Sequence, residues 1–361
     1  MSDADATMRS DWSRIWRLGP PVMPVADRLR LGMPTILILV VGALMGRYLD
    51  ALLVGLGTYT VLFGGIPGRR HRAIVMAAGG VGLVAAVSAG VAVAGSLPWT
   101  LVAFVGASLL AVVLDSAVRL GPPGPYFFTL MVGGGGIIGI AGFTVADVVP
   151  QLAAGAVVAF VAAVAGADRP EPTAGDGEGT ESLDDGPAST SSRVFSDVLA
   201  RLTWPHPDSV TFVRVVVATL VTFAALTLAN DSHPFWAVLV VVLVLSYPGD
   251  QGTLMLRTFH RVVGTAIGFF AFWAWTLVAP PAWVAFVAIG VLLWITMGLA
   301  PRNYGYACVA ITLLALLMTQ ALMPDAPPGQ LATARVIDTV VGAVVAIGCM
   351  LLIRPWGRVR A

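Results

Sequence analysis

The chain contains no lysine; all 21 of its basic residues are arginine. A P-loop, which needs a phosphate-binding lysine, is therefore excluded, and so is Schiff-base chemistry. ATP-driven transport would need a separate subunit. Cysteine is nearly absent as well. Cys308 and Cys349 both fall in apolar runs and form neither a disulfide framework nor a metal-ligand pattern. The four histidines, His71, His206, His233 and His260, are scattered without HExxH spacing, and no metal, cofactor or catalytic constellation is implied. Charge is the third scarcity. Only 11% of residues are charged, against about 25% in an ordinary soluble domain. Hydrophobic residues make up 57% of the chain and the mean hydropathy is +0.86. A water-soluble fold cannot hide that much apolar surface, whereas a bilayer accepts about 20 apolar residues per crossing. The fold class is all-α: a polytopic transmembrane helical bundle.

Apolar stretches run at 33–48, 50–66, 73–95, 98–118, 125–143 and 147–167, and again at 210–229, 234–248, 257–279, 281–300, 304–323 and 332–353. This predicts about twelve helices in two six-helix repeats. The segments 33–48, 50–66 and 234–248 are short for a full span. Between the sets, a stretch rich in Gly, Pro, Ser, Thr, Asp and Glu reads as a disordered acidic linker. Its end, FSDVLARLTW (195–204), has the pattern of a short amphipathic surface helix. The domain reading is an N-terminal arm over 1–30, a first repeat over 31–167, the linker over 168–209, a second repeat over 210–353 and a tail over 354–361. The arm holds Trp12, Trp16 and five arginines but no apolar signal-peptide core, and is expected to lie on headgroups.

If the N-terminus is cytoplasmic, 19 arginines fall inside, and only Arg47 and Arg335 fall outside. The positive-inside bias then places both termini and the linker in the cytoplasm. Six is even, so the two repeats share one orientation, with any symmetry axis along the membrane normal.

Residues 233–268, HPFWAVLVVVLVLSYPGDQGTLMLRTFHRVVGTAIG, resemble the core signature of the fusaric acid resistance protein-like (FUSC) family of integral membrane transporters. The resemblance rests on Phe235, Trp236, Pro248, Arg257, Arg261, Gly264, Thr265 and Gly268. NYGYACVAITLLALLM (303–318), which opens with Asn303 and Tyr304, and ARVIDTVVGAVVAI (334–347) are similar to two further motifs of that family. The resemblance is specific for the second half and holds for the first only in outline. It implies a bacterial inner (plasma) membrane protein that exports aromatic acids and drug-like compounds, related to plant anion channels. The sizeable soluble domain of larger bacterial members is missing here.

The residues themselves point the same way, because ionisable groups inside a membrane segment mark function by default. Arg257 and Arg261, at i and i+4 on one helix face, either draw an anion inward or touch headgroups. Arg335 and Asp338, at i and i+3, have the spacing of an ion pair, structural or gating, and Asp338 is the candidate for proton coupling. Asp115 and Arg119 read as an ordinary helix-stabilising pair. Arg214 either snorkels to headgroups or faces an anion. Trp236, at a helix start, is a candidate wall for a planar ligand. Gly42 and Gly46, Gly135 and Gly139, and Gly264 and Gly268 are spaced for close helix approach.

The leading expectation is a secondary exporter of small organic anions, aromatic carboxylates among them; an anion channel and a non-transporting scaffold for envelope assembly are the alternatives. An enzyme is not expected. The expected partners are the bilayer and a small organic anion. Protons and a second copy of the chain stay open, and nothing points to nucleic acid.

Overall fold

A computed structural model describes residues 15–65, 68–121, 123–165, 191–204, 206–231, 233–247 and 249–353. Most of the acidic linker, Trp12, Pro248 and the arginines of the tail lie outside these residues. The described residues form thirteen α-helices. The first set is α1 (Val25–Leu44), α2 (Tyr48–Gly57) continued by a 3-10 turn (Thr58–Gly65), α3 (Arg69–Val93), α4 (Leu97–Val118), α5 (Phe127–Ile140) and α6 (Val145–Val164). A short helix, α7 (Ser191–Leu202), follows. The second set is α8 (Pro207–Leu228), α9 (Pro234–Leu245), α10 (Gln251–Val278), α11 (Ala282–Leu299), α12 (Tyr304–Leu322) and α13 (Pro328–Leu352).

Nine helices among the described residues are long and apolar enough to cross a membrane, counting α2 with its 3-10 extension as one. Three of the twelve expected segments fall outside that set. α5 and α9 are too short. α1 starts at Val25, earlier than apolarity suggested, and takes in Asp27, Arg28 and Arg30. The 50–66 segment changes character at Thr58. There the Thr58 and Thr60 hydroxyls donate to the carbonyls of Gly55 and Gly57 at 2.6 and 2.9 Å, and such local bonds compete with the regular helical ladder. Elsewhere the helix bounds fall close to the apolar runs, and α7 contains the amphipathic stretch expected before α8.

The same helix pairs pack in both sets. α3 meets α5 and α6 as α10 meets α12 and α13; α2 meets α6 as α9 meets α13; α1 meets α2 as α8 meets α9; and α4 meets α5 as α11 meets α12. Contacts between the sets are matched too, α1 with α11 and α4 with α8. α7 lies across α4 and α8. It is fixed there by Arg201, which reaches Asp115 at 2.9 Å and Asp197 at 3.2 Å, while Phe195 and Leu199 stay exposed.

Small residues set the approach of the crossing helices. A side chain on Gly264 would strike Cys308 Cβ, and one on Gly268 would strike Thr312. Gly135 and Gly139 take α5 against Val87 and Val91 of α3 in the same way. Gly42 and Gly46 are not such a pair: Gly42 abuts Ala51, but Gly46 has φ +68 and turns the chain between α1 and α2.

α9 is the unusual element. Its 12 residues rise about 18 Å, against a hydrocarbon core of about 30 Å. Gly342 of α13 sits against the carbonyl of Ala237, three residues after α9 begins. Both helices run toward the face that carries the N-terminal arm, here the arm face. The start of α9 is therefore level with residue 339, about 16 Å below the start of α13 by helical rise. α9 survives at this depth because α5, α8, α10 and α13 surround it, and nearly all its side chains are buried. The tip between α8 and α9 is exposed at Leu228 and Asn230 and carries Asp231 and His233. The matching tip in the first set carries an Arg47–Asp50 ion pair of 2.8 Å. A cavity of about 560 Å3 opens beside that first tip, lined by Val41, Met45, Arg47, Asp50, Pro150 and Gln151 among others.

Two outcomes follow for stability, both read from thermal midpoints in detergent. Gly264→Val forces α10 from α12 and lowers stability by roughly 1–3 kcal/mol, while Gly348→Ala, with open space at its Cβ, raises it by up to about 1 kcal/mol. Asp250 caps α10, accepting from the Thr253 N–H at 2.9 Å and the Thr253 hydroxyl at 2.5 Å, and these bonds hold its carboxyl below the usual range. The cap is complete above the ordinary carboxylate pKa and is lost as pH falls through the lowered value. Asp250→Ala is thus less stable than the parent at neutral pH and converges with it in acid.

Candidate functional site: an arginine cluster between α9, α10, α12 and α13

α10 carries its charges inward in steps of one turn. Arg257, half-buried near the arm face, has its guanidinium between the rings of Tyr247 at 3.8 Å and Tyr304 at 3.7 Å. Both distances are within cation–π range. Arg261, one turn deeper, is fully buried. Its Nη1 donates weakly to Cys308 Sγ at 3.9 Å, and its Nε and Nη2 have no hydrogen-bond partner. The Tyr304 hydroxyl lies beside Arg261 and Cys308 without a well-aligned hydrogen bond. One further turn brings Thr265, whose hydroxyl is 3.3 Å from that of Thr312 and 3.5 Å from that of Thr339. These threonines tie α10, α12 and α13 at one level.

Arg335 precedes Thr339 by one turn of α13. It is buried, with Nε and Nη1 unpartnered, and its guanidinium lies 5.5 Å from the Trp236 ring centre. Asp338 is fully buried and neither carboxylate oxygen has a hydrogen-bond partner. Arg335 and Asp231 are its charged neighbours. Trp236 is buried in the first turn of α9, and His233 stacks on it at 4.6 Å and 16°. The N-terminal N–H groups of α9 add the positive end of a helix dipole at the same depth.

Both expected intrahelical ion pairs are absent. Arg335 turns to Trp236 rather than to Asp338. Arg119 ends α4 in a left-handed conformation with φ 49, which carries it away from Asp115. The Asp115 carboxylate instead accepts from the Leu120 N–H at 3.1 Å and from Arg201 at 2.9 Å. Arg214 is outside the cluster; its Nε donates to the carbonyl of Ile353 at 2.9 Å. Asn303 caps α12, accepting from the Gly305 N–H at 2.9 Å, and its amide donates to the carbonyls of Ile15 and Arg17 at 2.9 and 3.2 Å. This segment of the arm packs on the bundle rather than lying free on headgroups. Of the sequence candidates, the cluster unites Arg257, Arg261, Trp236, Tyr304, Arg335 and Asp338. Tyr247, Cys308, Thr312 and Thr339 join it without an advance signal, since single residues in apolar runs announce nothing.

The first set does not repeat the Arg335–Asp338–Trp236 arrangement, although it too buries an arginine, Arg72. Gly155 meets the carbonyl of Val54 as Gly342 meets that of Ala237. Counting from these pairs, Val148 stands where Arg335 is, Gln151 where Asp338 is, and Leu53 where Trp236 is. Arg72 precedes Gly79 by seven residues, as Arg257 precedes Gly264, and is itself buried, but Gly79 abuts Phe63 whereas Gly264 abuts Cys308 of α12, so the two glycines are not counterparts.

Residues 202–349 match the model of the fusaric acid resistance protein-like family. The match spans the second set of helices, the arginine cluster and all three stretches of resemblance. No curated protein and no solved structure matches the chain.

Burying a cation costs several kcal/mol, and Arg335 has, among the described residues, no carboxylate within ion-pair distance to offset that cost. Arg335→Met therefore raises the thermal midpoint in detergent. A lower midpoint would show that Arg335 holds the structure together.

Proposed function

We propose that the chain carries small organic anions across the membrane, with Arg257, Arg261 and Arg335 as the pathway. The family match and the nine apolar helices mark a multi-pass membrane protein and point to a membrane transporter. What supports an anionic cargo is that two guanidiniums, buried at membrane depth, keep N–H donors unused. Such donors are costly to leave empty. A carboxylate or similar anion with an apolar body matches them: the donors take the charged head, and Trp236 takes a flat or apolar tail. Asp338, one turn from Arg335 and also unpartnered, is then repelled by the cargo, and taking up a proton relieves the repulsion. The proton then travels with the cargo in the same direction, so export runs down the cargo's own gradient and an inward proton gradient opposes it. The direction we favour is export from an arm face that is cytoplasmic. Arg261 and Arg335 are closed off from solvent, which favours a carrier that occludes its cargo over an open channel. The two sets of six helices would rock about the cluster to alternate access.

The test is flux in proteoliposomes with a panel of aromatic and aliphatic carboxylates, with and without a pH gradient. Arg261→Met is expected to lower flux at least tenfold, equivalent to about 1.4 kcal/mol or more. Asp338→Asn is expected to retain exchange but lose the response to the gradient. Equal flux in the parent and Arg261→Met removes the proposal. Absence of any flux alongside a defect in envelope assembly supports a scaffold instead, and ohmic currents support a channel.

A further inference from the structure

The short segment Ile15–Gly19 is bound to the bundle almost wholly through its backbone. The carbonyl of Ile15 accepts from Asn303 Nδ2 at 2.9 Å and from His260 Nε2 at 3.1 Å, which places the imidazole proton on Nε2. The carbonyl of Arg17 accepts from the same Asn303 amide at 3.2 Å. Gly19 and Arg302 bond in both directions, the Gly19 N–H to the Arg302 carbonyl at 3.1 Å and Arg302 Nε to the Gly19 carbonyl at 2.8 Å. One side chain adds the grip. The Trp16 ring lies 5.3 Å from His260, 5.8 Å from Tyr306 and 6.4 Å from Phe259, centre to centre. It fits because residue 305 is glycine; a methyl there would strike the indole.

These anchors frame the cluster at the arm face. His260 lies between Arg257 and Arg261 on α10. Asn303 and Gly305 flank Tyr304, whose ring covers Arg257, at the start of α12. The segment thus bridges the two helices whose separation would open a way to Arg261. We propose that Ile15–Gly19 is a latch: it pins α10 to α12 at the arm face, keeps the arginine cluster closed there, and must release before an anion reaches Arg261. The latch regulates the site proposed above and rests on that reading for its purpose, but not for its test.

Cys308 reports the state of the latch, because it is fully buried beside Arg261. In a Cys349→Ser background, a membrane-impermeant maleimide is applied to the arm face and alkylation of Cys308 is timed. Trp16→Ala is expected to accelerate labelling about tenfold, the shift that losing roughly 1.4 kcal/mol of closing free energy produces. Trp16→Phe, which keeps an aromatic ring, is expected to label near the parent rate. Gly19→Pro, which removes the Gly19 N–H donor and brings a Cβ to 3.2 Å from the Arg302 carbonyl oxygen, is expected to give a rise as well. Parent-like labelling of both Trp16→Ala and Gly19→Pro overturns the latch. So does a rise that accompanies loss of cooperative thermal unfolding in both variants, since the fold rather than the latch has then opened. The readout needs no cargo. Faster labelling with unchanged anion flux in Arg261→Met sinks the transport proposal and leaves the latch standing.

Discussion

The constraint on which the rest of the structure depends is the burial of two guanidiniums, Arg261 and Arg335, without carboxylate partners within ion-pair distance. Moving a cation from water into a low-dielectric interior costs several kcal/mol even after relaxation. The surrounding structure holds the cost rather than removing it. Gly264 and Gly268 hold α10 closely against α12, which keeps Arg261 turned into the bundle and away from water. The threonine hydroxyls of α10, α12 and α13 lock the level. Trp236 offers a polarisable face to Arg335, and the start of α9 adds its own positive end. The two guanidiniums and the start of α9 favour negative charge, and the only acid in the cluster, among the described residues, is Asp338.

A repeated scaffold makes this affordable. The two sets of six helices pack in the same pairs, yet where one has Arg335 and Asp338 the other has Val148 and Gln151. The contacts of α1 with α11 and of α4 with α8 join the two sets. A family match confined to residues 202–349 fits this division.

Most of the architecture was legible in the sequence because apolar length is a one-dimensional property. Nearly all helix bounds fall close to the apolar runs, and α7 appears where FSDVLARLTW announced an amphipathic face. What failed did so for three-dimensional reasons. Spacing alone cannot say that Arg335 prefers Trp236, from another helix, to Asp338 one turn away. Nor can it say that Asp115 serves Arg201, 86 positions along the chain. Arg257, Arg261, Arg335 and Asp338 were recognisable because charge in an apolar run is conspicuous. Tyr247 and Cys308 were not, since aromatic and thiol side chains are unremarkable there. The docking of Ile15–Gly19 was not legible, because its hydrogen bonds use backbone groups that every residue possesses and because spacing cannot say that Trp16 packs on His260 and Tyr306 instead of headgroups.

The shortness of α9 has an electrical consequence. Its tip exposes Asn230 beside Asp231, groups that demand water rather than lipid. Water reaching that tip would thin the insulating layer beside α9 from about 30 Å toward the length of that helix. The membrane voltage, about 2.3 kcal/mol per elementary charge per 100 mV, is then concentrated over that short stretch. A charge displaced by a few ångströms between Arg261 and Arg335 senses a large share of it, which makes any such displacement sensitive to membrane potential.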